Sequence, residues 1–134
     1  MKKVLVFGVF DKLHPGHLHF LEQARALGEG LVVVVARDSI VMRLKKKIPL
    51  HSEMARIKAL NMVQNVSRAL LGDAELGTYH VLREEKPDLI ALGYDQKNLR
   101  LDLEEKMERG FLPKIPLVYL DPHQPEIYKS SLMP

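Results

Sequence analysis

The sequence predicts a single α/β domain with a doubly wound, five-stranded parallel sheet. Short, nearly continuous apolar runs recur along the chain, as in strands that helices cover on both faces. A helical segment separates each run from the next, and this alternation is typical of right-handed crossovers between parallel strands. With 134 residues, 46% of them apolar, the chain can bury one such core. Ligands of such folds bind beyond the carboxyl ends of the strands.

The predicted strands are the runs at 3–9, 31–36, 66–71, 88–92 and 116–120. The first run follows Met-Lys-Lys, as in a signal peptide, but Gly8 and Asp11 interrupt it before a long apolar region accumulates. No run reaches the roughly 18 to 20 apolar residues that a membrane span needs. The first run is therefore interpreted as a strand, and no membrane partner is expected.

Helices are predicted at 15–27, 39–45, 52–64, 74–85 and 101–109. Pro15 suits the first helical position because its missing N–H would have no partner there, and Gly28 suits the stop. The third helix is expected to start at Ser52, and Gly110 follows the last helix. The segment 121–134 carries three of the eight prolines and is expected to run irregularly over the surface.

The charge balance favours small anionic partners. The net charge of +3 suits phosphorylated molecules, whereas the chain lacks the aromatic and basic interleaving of common RNA-binding surfaces. No nucleic acid partner is therefore expected. Cysteine is absent, which excludes disulfides and thiolate nucleophiles and fits the reducing cytoplasm, where we expect the protein.

The stretch GVFDKLHPGH, residues 8–17, follows the first predicted strand. Free amides in the first helical turn and the positive end of the helix dipole are expected to form an anion site there, and Gly16 leaves space for a ligand. Two imidazoles spaced three apart, at His14 and His17, can both reach a phosphate at that helix end. A metal pair and a purely structural N-cap histidine are the alternatives, although zinc usually needs a third protein ligand. The glycines match neither the dinucleotide fingerprint nor the P-loop.

This stretch resembles the G-x-F-D-x-x-H-x-G-H motif of the cytidylyltransferase-like family of nucleotidyltransferases. The resemblance implies a Rossmann-like fold and in-line attack by an acceptor phosphate on the α-phosphate of a nucleoside triphosphate, with release of pyrophosphate. It implies catalytic roles for His14 and His17. It implies Mg²⁺ as the cofactor, held mostly through phosphates, with Asp11 as the candidate protein ligand. The nucleotide-binding residues that it implies in this stretch are Gly8, Val9, Phe10, Asp11 and Gly16.

The segment LKKKIPLHSEMAR, residues 44–56, places three lysines in a row. By themselves they fit either a solvated loop or a site for an anion. The resemblance implies that Lys45 contacts the α- and β-phosphates and that Arg56 reaches the nucleotide or the substrate, both as catalytic residues, since phosphoryl transfer depends on charge neutralisation. Three further residues are expected to bind the acceptor: Arg37, Asp38 and Lys47.

The segment KPDLIALGYDQ, residues 86–96, ends the fourth predicted strand at Gly93. Taken alone it is a turn in which Asp95 caps the next element. It also resembles the K-P-D-x-x-x-L-G-x-D-Q pattern of archaeal-type FAD synthetases more than the G-D-D-W of glycerol-phosphate cytidylyltransferases. This resemblance implies that Gly93, Asp95 and Gln96 bind the nucleotide and favours ATP over CTP.

YKSS, residues 128–131, resembles the family's serine motif, which opens a C-terminal helix and contacts the β- and γ-phosphates. The resemblance implies nucleotide-binding roles for Ser130 and Ser131. The chain ends at Pro134, so we expect one nucleotidyltransferase domain over 1–134 that lacks the family's C-terminal helix.

The favoured reaction is ATP with FMN, giving FAD and pyrophosphate. The alternatives are CTP with glycerol 3-phosphate or a related alcohol phosphate, ATP with pantetheine phosphate, and, from another class, a non-catalytic nucleotide-binding protein. Aromatic residues make up only 6% of the chain, and the stacking candidates for an isoalloxazine ring are Phe10, Tyr79 and Tyr94. Enzymes of this kind are often dimers, and a homodimer is expected.

Overall fold

The computed structural model describes residues 2–120, which form one parallel sheet flanked by helices. The strands are β1 (Lys3–Gly8), β2 (Gly30–Val35), β3 (Arg68–Leu71), β4 (Leu89–Gly93) and β5 (Leu117–Leu120). The helices are α1 (Pro15–Arg25), α2 (Asp38–Lys45), α3 (Glu53–Asn61), α4 (His80–Glu85) and α5 (Lys97–Glu108). The predicted α/β fold with five parallel strands is confirmed. None of the helices in this described part is long and apolar enough to cross a membrane.

The strand order is β3-β2-β1-β4-β5, so the chain reverses direction across the sheet between β1 and β4. β1 pairs with β2 along its whole length, from Lys3 to Gly8. It pairs with β4 only at Val4 and Leu5, three residues before either strand ends. The two central strands therefore leave a crevice at their carboxyl ends, which is where ligands bind in open α/β sheets.

Alternate residues of the strands pack into two separate cores, one on each face of the sheet. On one face, Val4 and Val6 of β1 pack with Leu21 of α1 and Leu60 of α3. On the other face, Leu5 packs with residues of α4 and α5, including Leu82, Leu103 and Met107. This alternation explains why the strand sequences are apolar throughout, because both faces are covered.

The predicted helix over 74–85 is wrong for 74–79. The Asp73 carboxylate accepts hydrogen bonds from the Thr78 hydroxyl and from the N–H groups of His80 and Val81, which closes a loop and delays the helix until His80. Gly77 within this loop has φ +80°, a conformation outside the right-handed helix. Burial raises the pKa of Asp73, but the hydrogen bonds that its carboxylate accepts lower the pKa by a larger amount. The pKa of Asp73 therefore lies below its usual value.

Candidate active site

His14 caps α1 and occupies the amides that were expected to be free. Its Nδ1 accepts hydrogen bonds from the N–H of Gly16, at 3.1 Å, and of His17, at 3.3 Å. The next amide, of Leu18, donates to the His14 carbonyl at 3.0 Å, and Pro15 has no N–H. The expectation of an amide cradle for phosphate is therefore wrong. The groups that remain for an anion at this helix end are the imidazole rings and the positive end of the helix dipole.

His17 lies stacked on His14, with ring centroids 3.7 Å apart and planes 18° apart. The Phe10 ring meets it edge-on at 5.4 Å, and its Nδ1 lies 3.0 Å from the Lys12 carbonyl oxygen. Burial is the largest cause that lowers the pKa of His17, and the neighbouring His14 lowers it further. His17 is therefore mainly a neutral imidazole near neutral pH.

Two glycines leave room for the Phe10 and His14 rings to lie against the backbone. Phe10 has φ +52° and folds its buried ring back over Gly8, where an added Cβ would lie 2.8 Å from Phe10 Cζ and closer still to Cε2. A Cβ added at Gly16 would lie 3.0 Å from His14 Cε1. The two motif glycines thus serve the packing of Phe10 and His14, a role in addition to the close ligand approach that the sequence predicts.

Asp11 joins the histidine loop to the loop that precedes α3. Its two carboxylate oxygens accept the N–H groups of Leu50, at 2.7 Å, and of His51, at 2.8 Å, while its own carbonyl oxygen lies 2.7 Å from His51 Nδ1. Burial raises the pKa of Asp11, but the backbone hydrogen bonds lower it more, so the carboxylate is ionised at neutral pH. These bonds join the histidine loop to residues 50 and 51, which follow the three lysines in the chain.

The three consecutive lysines lie where α2 ends. Lys45 is the last helical residue, and Lys46 turns the chain with φ +58°. All three lysines are exposed, Lys47 included. Lys45 is near enough to His17 to lower the pKa of that imidazole. Lys45 therefore lies within electrostatic range of His17.

Arg56 differs from its prediction, because its guanidinium is buried and fully engaged by the protein. The residue is 1% exposed. Its guanidinium donates to three carbonyl oxygens and one carboxylate: Val9 at 2.9 Å, Ala36 at 2.8 Å, His51 at 3.1 Å and Asp38 at 2.6 Å. We therefore reassign Arg56 from contacting a ligand to positioning the segments that surround the site.

Two residues predicted to bind the acceptor also make structural contacts. The Arg37 Nε donates to the Gly72 carbonyl oxygen at 2.8 Å and joins the ends of β2 and β3. Besides its bond to Arg56, Asp38 exchanges caps with Glu53: the Asp38 N–H donates to the Glu53 carboxylate at 2.7 Å, and the Glu53 N–H donates to the Asp38 carboxylate at 3.3 Å. These caps hold the first turns of α2 and α3 together.

Gln96 spans the crevice between the two central strands. Its Oε1 accepts the Gly93 N–H at 2.9 Å, and its Nε2 donates to the Phe7 carbonyl oxygen at 2.8 Å. The side chain replaces backbone bonds that β1 and β4 cannot make where their ladder has stopped. Asp95 is exposed at the same edge and is near enough to His17 to raise the pKa of that imidazole.

Among the three aromatic stacking candidates, Tyr94 is the exposed one, at 71%. Phe10 is buried, and Tyr79 packs on Phe7 and donates its hydroxyl to Asp102. The predicted phosphate contacts of Ser130 and Ser131 fall outside the described residues.

Imidazoles at the N-terminus of α1, a lysine within electrostatic range and the sheet's switch point between β1 and β4 together define a nucleotide-binding α/β protein. The chain belongs to the cytidylyltransferase-like family, whose family model matches residues 5–131. The prediction of a nucleotidyltransferase of this family is confirmed.

Curated relatives match nearly the whole chain. A protein of Methanosarcina barkeri named FAD synthase is 46% identical over 121 residues, which are 87% of this chain and 85% of that protein. A second FAD synthase, of Aciduliprofundum boonei, is 47% identical over 86% of this chain and 76% of that protein. Among solved structures, one described as a lipopolysaccharide core biosynthesis protein of Thermoplasma volcanium has a TM-score of 0.78 and 40% identity, covering 90% of this chain and 96% of that one.

Proposed function

We propose that this chain is an adenylyltransferase that joins ATP and FMN to give FAD and pyrophosphate. The observation that carries the proposal is the stacked His14–His17 pair at the start of α1, with Lys45 within electrostatic range of His17, at the crevice between β1 and β4. The choice of ATP and FMN is supported by relatives named FAD synthase at 46% and 47% identity.

In the proposed reaction, a phosphate oxygen of FMN attacks the α-phosphorus of ATP in line. The bond from that phosphorus to the bridging oxygen breaks, and pyrophosphate leaves. No covalent enzyme intermediate forms. The imidazoles donate hydrogen bonds to the α-phosphate as charge builds up on its oxygens, and Lys45 neutralises the triphosphate. The rest of the rate enhancement comes from holding the two phosphates in line.

Magnesium is proposed to enter with the nucleotide. In residues 2–120, no group of three His, Asp or Glu side chains could hold a metal ion. Both carboxylate oxygens of Asp11 already accept backbone N–H groups, so we assign the ion to the triphosphate rather than to Asp11. An ion carried by the triphosphate fits Mg²⁺, which keeps phosphate oxygens and waters as its main ligands. When bound, the ion neutralises charge on the phosphates.

The acceptor's ring system is proposed to lie on exposed apolar side chains beside the lysines. Ile48 is 76% exposed and Leu50 is 73% exposed, although both are large and apolar. The Leu50 N–H is held by Asp11, which places this surface next to the histidine loop. An apolar ring with a phosphate suits such a surface flanked by Lys45 and Lys47, since the ring covers apolar area and the lysines neutralise the charge.

The test is pyrophosphate release with Mg²⁺, with ATP or CTP crossed against FMN, glycerol 3-phosphate and pantetheine phosphate. Of these pairs, only ATP with FMN is expected to release pyrophosphate. Riboflavin is expected to be inert as an acceptor, because it has no phosphate group that could attack ATP. Turnover with CTP and glycerol 3-phosphate would overturn the proposal. Nucleotide binding without turnover in any combination would show instead a non-catalytic nucleotide-binding protein.

Paired lysine variants test the site within that assay. Lys45→Ala removes a charged donor worth about 1.5–3 kcal/mol, so kcat/KM for ATP is expected to fall roughly 10- to 100-fold. Lys58→Ala, an exposed lysine on α3, is the matched control and is expected to leave kcat/KM unchanged. If both substitutions changed kcat/KM for ATP equally, Lys45 would not be a residue of the site.

A further inference from the structure

The two histidines of the site are held by opposite kinds of hydrogen bond. His14 Nδ1 faces two backbone N–H groups, of Gly16 and His17, which can only donate. His17 Nδ1 faces the Lys12 carbonyl oxygen, which can only accept. His14 Nδ1 must therefore carry a lone pair, and His17 Nδ1 must carry a proton.

Each neutral imidazole has one N–H, so these bonds fix what its other nitrogen presents. The proton of neutral His14 lies on Nε2, which can donate to a phosphate oxygen. The proton of neutral His17 is already used by the Lys12 carbonyl oxygen, and its Nε2 presents only a lone pair. A lone pair facing a phosphate oxygen is repulsive. His17 can therefore donate to phosphate only as an imidazolium.

The surroundings of His17 keep it uncharged until an anion arrives. Burial is the largest cause that lowers the pKa of His17, the stacked His14 lowers it when it carries a charge itself, and Lys45 at the end of α2 lowers it further. The Lys12 carbonyl oxygen and Asp95, after β4, raise the pKa of His17, but the net effect is still a lowered pKa. A triphosphate at the start of α1 would add negative charge next to the ring, and nearby negative charge favours the imidazolium.

We propose that the two histidines have different roles: His14 donates to the phosphate from Nε2 as a neutral imidazole, whereas His17 takes up one proton from solvent as the nucleotide binds and donates only then. This division rests on the proposed function for its role in turnover. The hydrogen bonds that fix the tautomers do not depend on it.

The first experiment uses the protein alone, with ¹⁵N-labelled histidine observed by NMR and assigned through the variants below. The expected result is a protonated Nε2 on His14 and a protonated Nδ1 on His17 near neutral pH. The same tautomer on both rings would overturn the proposal, whatever the enzyme's substrates prove to be.

The second experiment measures proton uptake when Mg²⁺–ATP binds, by calorimetry in two buffers of different ionisation enthalpy near pH 7. Uptake of up to one proton is expected for the unchanged protein and none for His17→Gln, whose neutral amide can still donate. Binding of Mg²⁺–ATP with no proton uptake, or with equal uptake in the variant, would contradict the role of His17. Inorganic tripolyphosphate serves as the probe if ATP is not the nucleotide.

The third experiment compares pH profiles of turnover. Because imidazolium is lost as pH rises, kcat of the unchanged enzyme is expected to fall on the alkaline side, whereas ionisation of the FMN phosphate near pH 6 acts in the opposite direction. His17→Gln is expected to lose this alkaline fall and roughly 10- to 100-fold in kcat. His14→Asn keeps an N-cap acceptor but no Nε2 donor, so it should fold normally, lose kcat similarly and keep the alkaline fall. If instead His14→Asn lost the alkaline fall and His17→Gln kept it, the roles assigned to the two histidines would be overturned.

Discussion

Replacing Arg56 tests whether a buried guanidinium supports this site without touching its ligands. Arg56→Met keeps most of the side-chain volume but removes every hydrogen bond that the guanidinium donates. Three carbonyl oxygens, of Val9, Ala36 and His51, lose their Arg56 donor. The fourth partner, Asp38, loses its counter-charge but has a side chain that is 41% exposed, so water can replace the lost donor there.

The expected loss of unfolding free energy follows from this count. Each buried acceptor left without a donor costs about 1–3 kcal/mol, and removing one partner of a buried ion pair costs about 3–5 kcal/mol in total. Because Asp38 is partly solvated, we expect the lower end, about 3 kcal/mol. That is a large part of the roughly 5–15 kcal/mol that stabilises a domain.

The assay is urea unfolding followed by circular dichroism. With a slope of about 1–3 kcal/mol per molar urea, the midpoint should fall by about 1–3 M. Lys58→Met, on the exposed face of the same helix, is the control and should change the unfolding free energy by less than about 0.5 kcal/mol. An Arg56→Met protein of unchanged stability that had lost nucleotide affinity would refute the reasoning and return Arg56 to the ligand site.

Two further predictions concern packing and pH. Gly8→Ala should lower the free energy of unfolding by about 1–3 kcal/mol, because the new Cβ would overlap the Phe10 ring. Gly30→Ala is the strand control, since its Cβ would meet nothing closer than 3.5 Å. Equal shifts in the thermal midpoint of the two variants would refute this account. Asp73 has a pKa below 3.8, so it stabilises the fold above about pH 4 and loses that contribution as pH falls through its folded pKa. Asp73→Asn should therefore be less stable at pH 6 and should show a smaller further loss at pH 3 in urea unfolding; an unaltered pH dependence would argue against the Asp73 hydrogen bonds.

The sequence predicted the features that depend on neighbouring residues. Pro15 at the first position of α1 was predicted and occurs, and the helix start predicted at Ser52 is found there, with Ser52 as the N-cap, because each residue acts within one helical turn. The first half of the predicted fourth helix was wrong, because Asp73 binds donors five to eight residues away and closes a loop that no helical periodicity reveals.

The support of the site depends on contacts between distant segments, which a local pattern cannot show. Arg56 reaches Val9 across 47 residues, and Gln96 reaches Phe7 across 89. The motifs predicted that these side chains belong near the site. They did not predict that Arg56 would be buried, and they gave an N-cap role for His14 only as the alternative to a phosphate site at the helix amides.

The Gln96 bridge makes one backbone amide a reporter of the crevice. The Gly93 N–H donates to a side-chain oxygen, so it can exchange with deuterium from solvent when Gln96 rotates away, while the strands on either side stay paired. Protection at this position therefore measures local opening between the two halves of the sheet rather than global unfolding. A nucleotide that rests against Gln96 should slow exchange at Gly93 far more than at the core amides of β1, and that contrast would locate the bound molecule without any turnover.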